Sequence, residues 1–398
     1  MSDVNGEDAS VPSYWLGAYT PDSQGNARGV SVLRQQPDGT LRHAPTVSLD
    51  SPSFLARHPS ADVVYAALEG IGAVQVLERR GVDGLAPVGD PIEVGEAVCH
   101  LHVTPDGGML VASCYGDGRL VTIPLAPTGR PSGRPVEAAA SIDPYADPFA
   151  GSALEASGFG ESALTDFSLA QQVLEAMPVR QSRAHASLTL PDGRIVSTDL
   201  GHDAVRVWRR TANGTGLTLD DTIMLPFGVG PRHLAWHVSG HLFVVTEYSN
   251  EIFVLAPRDR GHLRVVRSKL ATADSLEDGD NASELQIAGP DADRLYVAIR
   301  GTNRLSTLRI GGDGADLSSL ADVETRGKHP RHFRVAGDLV HIANQLSDEV
   351  TSFRLDARGI PSQFLGATEA PSPTYLLPVP AASRPRPMPM PMPLRVAG

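Results

Sequence analysis

The sequence predicts an all-β protein, a seven-bladed β-propeller of four-stranded antiparallel blades, and three observations support this prediction. Residues 230–256 form three short β-rich runs separated by turn residues. The same pattern recurs along the chain at intervals of about 47–52 residues, which is typical of propeller blades. The first repeat lacks an innermost strand, which a β-rich segment around residue 375 can supply.

The repeat is clearest in its fifth copy, where the predicted strands are 234–238, 241–246 and 251–255. Antiparallel pairing places the start of the first strand beside the end of the second. We therefore expect Arg232 and Glu247 to lie together at one edge of the sheet. They are interpreted either as part of a site or as an ion pair that only ties the hairpin together.

Seven units of this kind follow one another along the chain. Pro-Asp-Gly turns at 105–107 and 191–193 mark the hairpins of two of them. The interval between the third and fourth units is longer than the others, because residues 136–181 are inserted there. The units begin at Tyr14, Ser53, His100, His185, Arg232, Glu284 and Arg331.

The two ends of the chain are predicted to meet in blade one. We expect Thr374–Leu377 to pair into this blade as its missing innermost strand, which would remove an open sheet edge. The propeller is then expected to span residues 11–380 as a single domain. The Pro-rich tail, residues 381–398, cannot join a sheet and is predicted to be disordered or polyproline-like.

The insertion at residues 136–181 is rich in Ala, Asp and Glu. Apolar residues at helical spacing predict a short helix over 167–177. Because the insertion interrupts a link between two blades, we expect it to fold over one face of the disc. A functional lid and an inert insertion are both compatible with this pattern.

Composition narrows the possible functions. The chain has 398 residues and a formal charge of -12, which argues against a nucleic-acid partner. It has no apolar run of membrane-spanning length, and its polar N-terminus lacks the features of a signal peptide. The two cysteines, Cys99 and Cys114, are expected to be buried thiols. We expect a soluble, cytoplasmic monomer.

Blade stacking gathers chemically active side chains at one mouth of the central channel. The start of each first strand and the end of each second strand lie at the same edge, so these edges converge around the axis. The residues expected there are His100, His102, Arg183, His185, Asp199, His202, Arg232, His233, Glu247, Glu284, Arg300, Arg331, His332, Asn344, Gln345 and Glu69.

This set of residue types suits a small anionic substrate. Arginine presents paired donors to a carboxylate or phosphate, and histidine moves protons near neutral pH. No phosphate-cradling loop or dinucleotide fingerprint is present, and clustered arginines would repel a metal ion, so neither a cofactor nor a metal is expected. Four of these residues, taken together, are the strongest candidates for catalysis and are assigned as catalytic: His185, Arg232, Glu247 and Arg300.

The remaining candidates have structural alternatives. His102 is interpreted first as a core histidine, and Asp199 as a turn-holding aspartate. His233 and His332 follow an arginine at matching positions, so a shared structural role is as reasonable for them as chemistry. The residues assigned to substrate binding are Arg331, Asn344, Gln345, His100, Arg183 and His233.

Several motifs resemble the lactonase family of seven-bladed propellers, which includes a bacterial 6-phosphogluconolactonase type and a fungal carboxy-muconate cyclase type. The resemblance covers nearly all of residues 14–378 and implies the propeller fold with a small carboxylated or phosphorylated lactone as substrate. In the cyclase type a histidine, two arginines and a glutamate form the site, and these map onto the four catalytic candidates above. The motifs are Gly17-Ala18-Tyr19-Thr20, Thr198-Asp199-Leu200-Gly201, Gly230-Pro231-Arg232-His233-Leu234-Ala235, Glu247 and Ala343-Asn344-Gln345.

The chain departs from the family pattern near the predicted mouth. Blade four reads Ser182-Arg183-Ala184-His185-Ala186 where the family usually has Pro-His-Pro-His-Ser, so an arginine replaces one histidine. Cys114 stands before Tyr115-Gly116 in place of an asparagine. Three hypotheses follow: hydrolysis of a sugar lactone, 6-phosphogluconolactone first among them; closure of a muconate to a lactone at the same site; and a propeller that only binds a ligand or partner.

Overall fold

Seven antiparallel sheets surround a central channel in the computed structural model, which describes residues 12–146, 179–258 and 261–380. The predicted all-β propeller of four-stranded blades is confirmed. The predicted helix over 167–177 and the tail at 381–398 lie outside the described residues. Residues 136 and 137, the first two of the predicted insertion, form the outermost strand of blade three.

The strands of each blade run in order from the channel outward. Blade one consists of Pro373–Pro378, Ser13–Ala18, Gly29–Gln35 and Leu41–Ser48. Blade two consists of Pro52–Arg57, Val63–Leu68, Ala73–Arg80 and Gly84–Pro87, with the short strand Ile92–Glu93 beside its third strand. Blade three consists of Val98–Val103, Met109–Cys114, Leu120–Pro124 and Val136–Glu137. Blade four consists of Ala184–Thr189, Ile195–Asp199, Ala204–Arg210 and Leu217–Met224. Blade five consists of Pro231–Trp236, Leu242–Thr246, Glu251–Pro257 and Leu263–Leu270.

The last two blades complete the ring, and short 3₁₀ turns follow the second strands of three blades. Blade six is Asn281–Ala288, Arg294–Arg300, Arg304–Gly311 and Asp316–Glu324, and blade seven is Pro330–Ala336, Leu339–Asn344, Glu349–Leu355 and Pro361–Glu369. The 3₁₀ turns are Pro21–Ser23, Glu69–Ile71 and Gln345–Ser347. Among the described residues, no helix is long and apolar enough to cross a membrane.

The C-terminal strand closes the propeller as predicted. Trp15 pairs with Leu377, and Leu16 pairs with Leu376, in antiparallel register. The Thr374 hydroxyl also donates a 2.7 Å hydrogen bond to the carbonyl oxygen of Ser53 in blade two. The innermost strands contact their neighbours all the way round the channel, so the ring has no gap between its first and last blades.

Apolar faces of adjacent blades pack against each other and hold the channel rigid. Between blades five and six, for example, Phe243 and Val245 pack with Leu295 and Val297, all fully buried. Truncating one such residue, as in Leu295→Ala, is expected to cost about 2–5 kcal/mol of stability. A scaffold packed in this way fixes the side chains that line the channel.

A β-bulge occurs at the equivalent place in the innermost strand of each described blade. At each bulge the innermost strand has one more residue than the strand paired with it. The extra residue changes the direction of its own side chain, and bulges of this kind are common beside active sites. We call the inserted residues the bulge ring: Ser53, Cys99, His185, Arg232, Ser283, Arg331 and Thr374.

Two further sets of equivalent residues lie on either side of the bulge ring. The residue after each bulge belongs to the inner ring, deeper in the channel: Phe54, His100, Ala186, His233, Glu284, His332 and Tyr375. On each second strand, one residue pairs with the residue that lies two positions before the bulge in the innermost strand. These residues form the rim: Tyr19, Glu69, Tyr115, Leu200, Glu247, Arg300 and Gln345.

Candidate active site

An arginine–glutamate–arginine cluster lies at the mouth of the channel. Arg232 Nε is 2.8 Å from Glu247 Oε2, as the hairpin geometry predicts. Arg300 Nη2 approaches the same oxygen at 3.1 Å, so one carboxylate holds two guanidinium groups from neighbouring blades. All three side chains are largely buried, and the two arginine side chains are 10% exposed or less. The cluster therefore joins two blades and is not only an ion pair within one hairpin.

The electrostatics of this cluster keep its glutamate ionised. Burial alone would raise the pKa of Glu247, but the charges of Arg232 and Arg300 outweigh it and hold that pKa below its ordinary value. Burial and the charge of Arg232 lower the pKa of Arg300 to about 10, so it remains cationic at neutral pH. The three groups therefore keep their charges over the physiological range.

A second arginine arrangement joins the first and last parts of the chain. Arg331 Nη2 donates to the hydroxyl oxygen of Tyr19, and that hydroxyl donates to Glu69 Oε2 at 2.8 Å. The Arg331 guanidinium also stacks over the Tyr19 ring, 4.8 Å from its centre. Gln345 Oε1 lies 3.5 Å from Arg331 Nη1. These contacts hold Arg331 at the mouth while leaving it only loosely paired with a carboxylate.

His185 occupies the bulge ring between Cys99 and Arg232. Burial, and then the charge of Arg232, hold the pKa of His185 well below the ordinary value of histidine, so its ring is neutral at neutral pH. Its ring contacts Tyr115 edge-on, with centroids 6.1 Å apart. Its Nδ1 is buried without a hydrogen-bond partner among the described residues. A neutral imidazole with a free ring nitrogen can accept or hold a proton.

Arg183, which was assigned to substrate binding, packs against Tyr115. Its guanidinium stacks on Tyr115, 4.7 Å from the ring centre, and donates to the Tyr115 carbonyl oxygen. After burial, the charge of Arg232 is the largest cause that lowers the pKa of His185. Arg183 thus lies beside the mouth and braces the aromatic residue that contacts His185.

The inner ring forms the floor of the mouth. His233 Nδ1 lies 3.0 Å from Glu284 Oε1, and His332 Nε2 lies 3.9 Å from the other oxygen of Glu284. His100 packs between Phe54 and His233, with ring centroids 4.4 Å and 5.6 Å away. Burial lowers the pKa of His100 well below its ordinary value, so this imidazole too is neutral.

The carboxyl group of this floor is unusual because it is buried and no arginine of the described residues forms an ion pair with it. Burial raises the pKa of Glu284 to about 8, although the charge of Arg232 opposes this. Burial and Arg232 lower the pKa of His233 to about 3. At neutral pH the proton shared by this pair therefore sits on Glu284, and both groups are uncharged.

Asn344 does not reach the mouth, in contrast to its sequence-based assignment to substrate binding. It is fully buried, and its amide donates to the carbonyl oxygen of Ile342 and to Thr351 Oγ1. Asn344 is the last paired residue of its strand, and the next residue, Gln345, belongs to the rim. Successive strand residues point to opposite sides, so only one of the two can face the opening.

His102 and Asp199 have structural environments, as their alternative interpretations proposed. The His102 ring bonds to Thr189 Oγ1 at 2.7 Å. Asp199 accepts hydrogen bonds from the backbone N–H groups of Arg183 and His202 and pairs with Arg206. Both residues therefore support blade four and its turn.

Some residues at the mouth were not identified as site candidates from the sequence. Tyr19 contributes the hydroxyl between Arg331 and Glu69, and Tyr115 packs against His185. Aligning the seven repeats at their bulges would have found both, because they occupy the rim positions equivalent to Glu247. Cys99 also belongs to the bulge ring, and burial raises the pKa of its thiol to about 12. Both cysteines are free.

The donor set at the mouth suits an anion better than a metal. The described residues contain no group of three or more His, Cys, Asp or Glu side chains placed to hold a metal ion. Arg232, Arg300 and Arg331 instead supply guanidinium donors that match carboxylate or phosphate oxygens.

Residues 13–378 match the family model described as lactonase, seven-bladed β-propeller. The chain belongs to this lactonase family. The match extends from the first strand of blade one to the strand that closes it, so it covers the whole ring. It confirms the resemblance to this family that was drawn from the motifs.

Individual relatives of this chain are distant. An uncharacterised protein of Staphylococcus saprophyticus is 32% identical over 181 residues, which cover 44% of this chain and 51% of the relative. The chain spans about half the length of the curated relatives it matches.

Solved structures confirm the fold across almost the whole chain. The periplasmic gluconolactonase of Pseudomonas aeruginosa is 22% identical with a TM-score of 0.78, and the similarity covers 94% of this chain and 100% of that one. A candidate 6-phosphogluconolactonase of Bacteroides fragilis is 19% identical with a TM-score of 0.73, covering 95% and 100%. At these identities the likeness is one of fold.

Proposed function

We propose that this lactonase hydrolyses a small anionic lactone, and that 6-phosphogluconolactone is its substrate. The observation that carries the proposal is the pairing of Glu247 with Arg232 and Arg300 next to the neutral, partly unpartnered His185. This arrangement places an anion-binding group and a proton acceptor together at one mouth of the central channel. Membership of the lactonase family supplies the reaction class.

Charge favours an anionic substrate. Arg232, Arg300 and Arg331 face Glu247 and Glu69, so this group of side chains carries one positive charge in excess. Arg331 is the least tightly paired of the three arginines, since its nearest carboxylate oxygen, on Glu69, is 3.9 Å away. It is therefore assigned to the phosphate or carboxylate of the substrate, with Gln345 beside it.

The carbonyl group of the lactone is assigned to Arg232 and Arg300. Negative charge develops on the carbonyl oxygen when water attacks, and donors already fixed in place stabilise that charge without reorganising. Glu247 holds both guanidinium groups in position by pairing with them. Because it is already paired with two cations and its pKa is lowered, Glu247 serves better to orient these cations than to deprotonate the water.

His185 is then the proton-transfer group. Its neutral ring takes a proton from the attacking water as the new C–O bond forms. It returns the proton to the ring oxygen of the lactone as the acyl C–O bond breaks, which yields the hydroxy acid. The negative charge of a bound substrate offsets the positive charge of Arg232, which raises the basicity of His185 when it is needed.

A comparison of two substrates tests the anionic assignment. Purified protein is assayed with 6-phosphogluconolactone and with the uncharged gluconolactone by following acid release at constant pH. We expect a higher kcat/KM for the phosphorylated lactone, and Arg331→Ala should remove that preference. Equal kcat/KM values for the two lactones would contradict the anionic assignment, and turnover of a muconate alone would favour the cyclase reaction.

A further inference from the structure

A small cavity separates the bulge ring from the inner ring. Its volume is about 30 Å³. Residues of both rings line it, including Ser53, Cys99 and His185 from the bulge ring and His100 and His233 from the inner ring. Its lining also includes Arg232, so the residue assigned to proton transfer and one of the two assigned to the lactone carbonyl both border the cavity.

Four polar atoms of this lining have neither a hydrogen-bond partner nor an ion-pair partner in the described part of the chain. They belong to residues that are largely buried, and each atom is shielded from solvent. Buried polar atoms in native proteins almost always have a partner in the protein or in an ordered water. The four atoms are Ser53 Oγ, His100 Nδ1, His185 Nδ1 and His233 Nε2.

We propose that this cavity binds one water molecule and that this water attacks the lactone. A water needs roughly 10–15 Å³ of such space and two to four polar partners. The cavity has this volume, and three of the residues that line it, together with Ser53, carry a polar atom without a partner among the described residues. The catalytic half of this inference rests on the proposed function. It places the nucleophile on the channel side of the substrate, opposite the open mouth.

The pairing of His233 with Glu284 sets the direction of the hydrogen bonds to this water. The protonated Glu284 carboxyl lies 3.0 Å from His233 Nδ1, so Nδ1 is assigned as the ring nitrogen without a proton and Nε2 as the one that carries it. Nε2–H then donates to the water oxygen. His185 Nδ1 accepts one hydrogen of the same water and takes it as a proton during attack.

This arrangement makes Ser53, His233 and Glu284 positioning residues. The water oxygen forms the new bond to the carbonyl carbon, and its proton passes to His185 Nδ1. When the ring C–O bond breaks, that proton goes to the departing oxygen, so the step is balanced without any co-reactant. The other titratable or charged groups that face Glu284 are His332 and Arg334 of blade seven and Arg232 of blade five.

Filling the cavity tests the inference. Ser53→Val and Ser53→Thr each add apolar volume where the serine hydroxyl now lines the cavity. The matched control is Ser283→Thr, because Ser283 occupies the equivalent bulge position in blade six, but its hydroxyl donates to the Pro330 carbonyl and is turned away from the cavity. A high-resolution crystal structure of each protein shows whether a water occupies the site, and thermal melting confirms that each variant folds.

We expect a water within hydrogen-bond distance of His185 Nδ1 in the wild-type protein and in Ser283→Thr, and none in the two Ser53 variants. Displacing the nucleophile by about 1 Å costs on the order of a hundredfold, so kcat of the Ser53 variants should fall by about that factor with KM little changed. A dry cavity, or a halide ion in it, in the wild-type crystal would overturn the inference. A bound water together with an unchanged kcat in Ser53→Val would overturn its catalytic half.

The same experiment separates this inference from the proposed function. If no lactone is hydrolysed by the wild-type protein, the proposed function fails and the catalytic role of the water fails with it. The water site itself is decided independently, by the electron density alone.

Discussion

Glu284 Oε1 lies 3.0 Å from His233 Nδ1, so a carboxyl group and an imidazole are paired inside the channel beneath the guanidinium groups of the mouth. Both are buried, and neither carries a charge at neutral pH. A neutral floor beneath a cationic mouth concentrates the positive charge where a substrate anion would bind.

The stability of the protein should depend on the protonation of Glu284. Burial raises its pKa to about 8, from the ordinary value of about 4.5. The protonated form is therefore favoured by folding. Its stabilising effect is fully present below the ordinary glutamate pKa and is lost as pH rises through 8. Glu284→Gln has no such loss. As pH increases from about 5 to 8, the free energy of unfolding of this variant should therefore rise relative to that of the wild type.

Denaturant melts of both proteins across this pH range measure the difference. Glu93→Gln, which replaces an exposed glutamate of blade two, is the control and should parallel the wild type. Parallel curves for wild type and Glu284→Gln would show that Glu284 has no raised pKa in the folded protein.

Arg232→Ala should impair both binding and rate. Removing this guanidinium takes away one donor to the developing oxyanion, for which losses of about 10²–10³ in kcat are usual. KM should rise as well, since the mouth loses one of the positive charges that attract an anionic substrate. Arg232→Lys should recover little, because an ammonium group cannot reproduce the planar paired donors.

Steady-state kinetics of the Arg232 variants supply these values. Arg267→Ala is the control, since Arg267 is more than half exposed and pairs with the equally exposed Asp316 on the outer edge of the propeller. An Arg232→Ala enzyme with wild-type kcat would remove Arg232 from the transition state.

The pH dependence of kcat/KM should reflect the environment of His185. Burial and the charge of Arg232 place its pKa well below the ordinary histidine value of about 6.5. The neutral, proton-accepting form therefore persists as pH falls through 6.5. The acidic limb of the profile should lie clearly below that pH. A limb centred near 6.5 would mean that His185 is exposed to solvent or is not the base.

Closure by the C-terminal strand should contribute strongly to stability. Deleting residues 373–398 removes the innermost strand of blade one and exposes the edge of Ser13–Ala18. We expect a marked fall in melting temperature. Deleting residues 381–398 alone should leave the melting temperature unchanged, because the closing strand ends at Pro378. Equal melting of all three proteins would contradict a closing role for this strand.

The architecture was accessible from the sequence because its signals are local and repeated. Alternating apolar runs, turn residues and a regular period define the blades, and the incomplete first unit predicts the closing strand. The approach of Arg232 to Glu247 was also predictable, since a single hairpin connects them. These features depend on spacing within one repeat or on the comparison of repeats.

The fine geometry of the site was less accessible, because it depends on a one-residue irregularity. A β-bulge in each innermost strand brings residues such as His185, Arg232 and Arg331 into one ring. Asn344 and Gln345 were both expected at the mouth, but side chains alternate along the second strand, so only Gln345 belongs to the rim. The partnership of Tyr19 with Arg331 joins residues from opposite ends of the chain. The neutral state of Glu284 follows from burial inside the channel, which no sequence spacing reveals.

The central claim is that His185 transfers the proton in hydrolysis of an anionic lactone. It is tested most directly by titrating acid release from 6-phosphogluconolactone with the wild-type protein and His185→Gln, with and without a chelator. The account predicts turnover by the wild type that a chelator does not change. It also predicts that kcat of the folded His185→Gln variant falls by at least about a hundredfold, the usual scale of acid–base catalysis. Near wild-type turnover by a folded His185→Gln protein would contradict the claim.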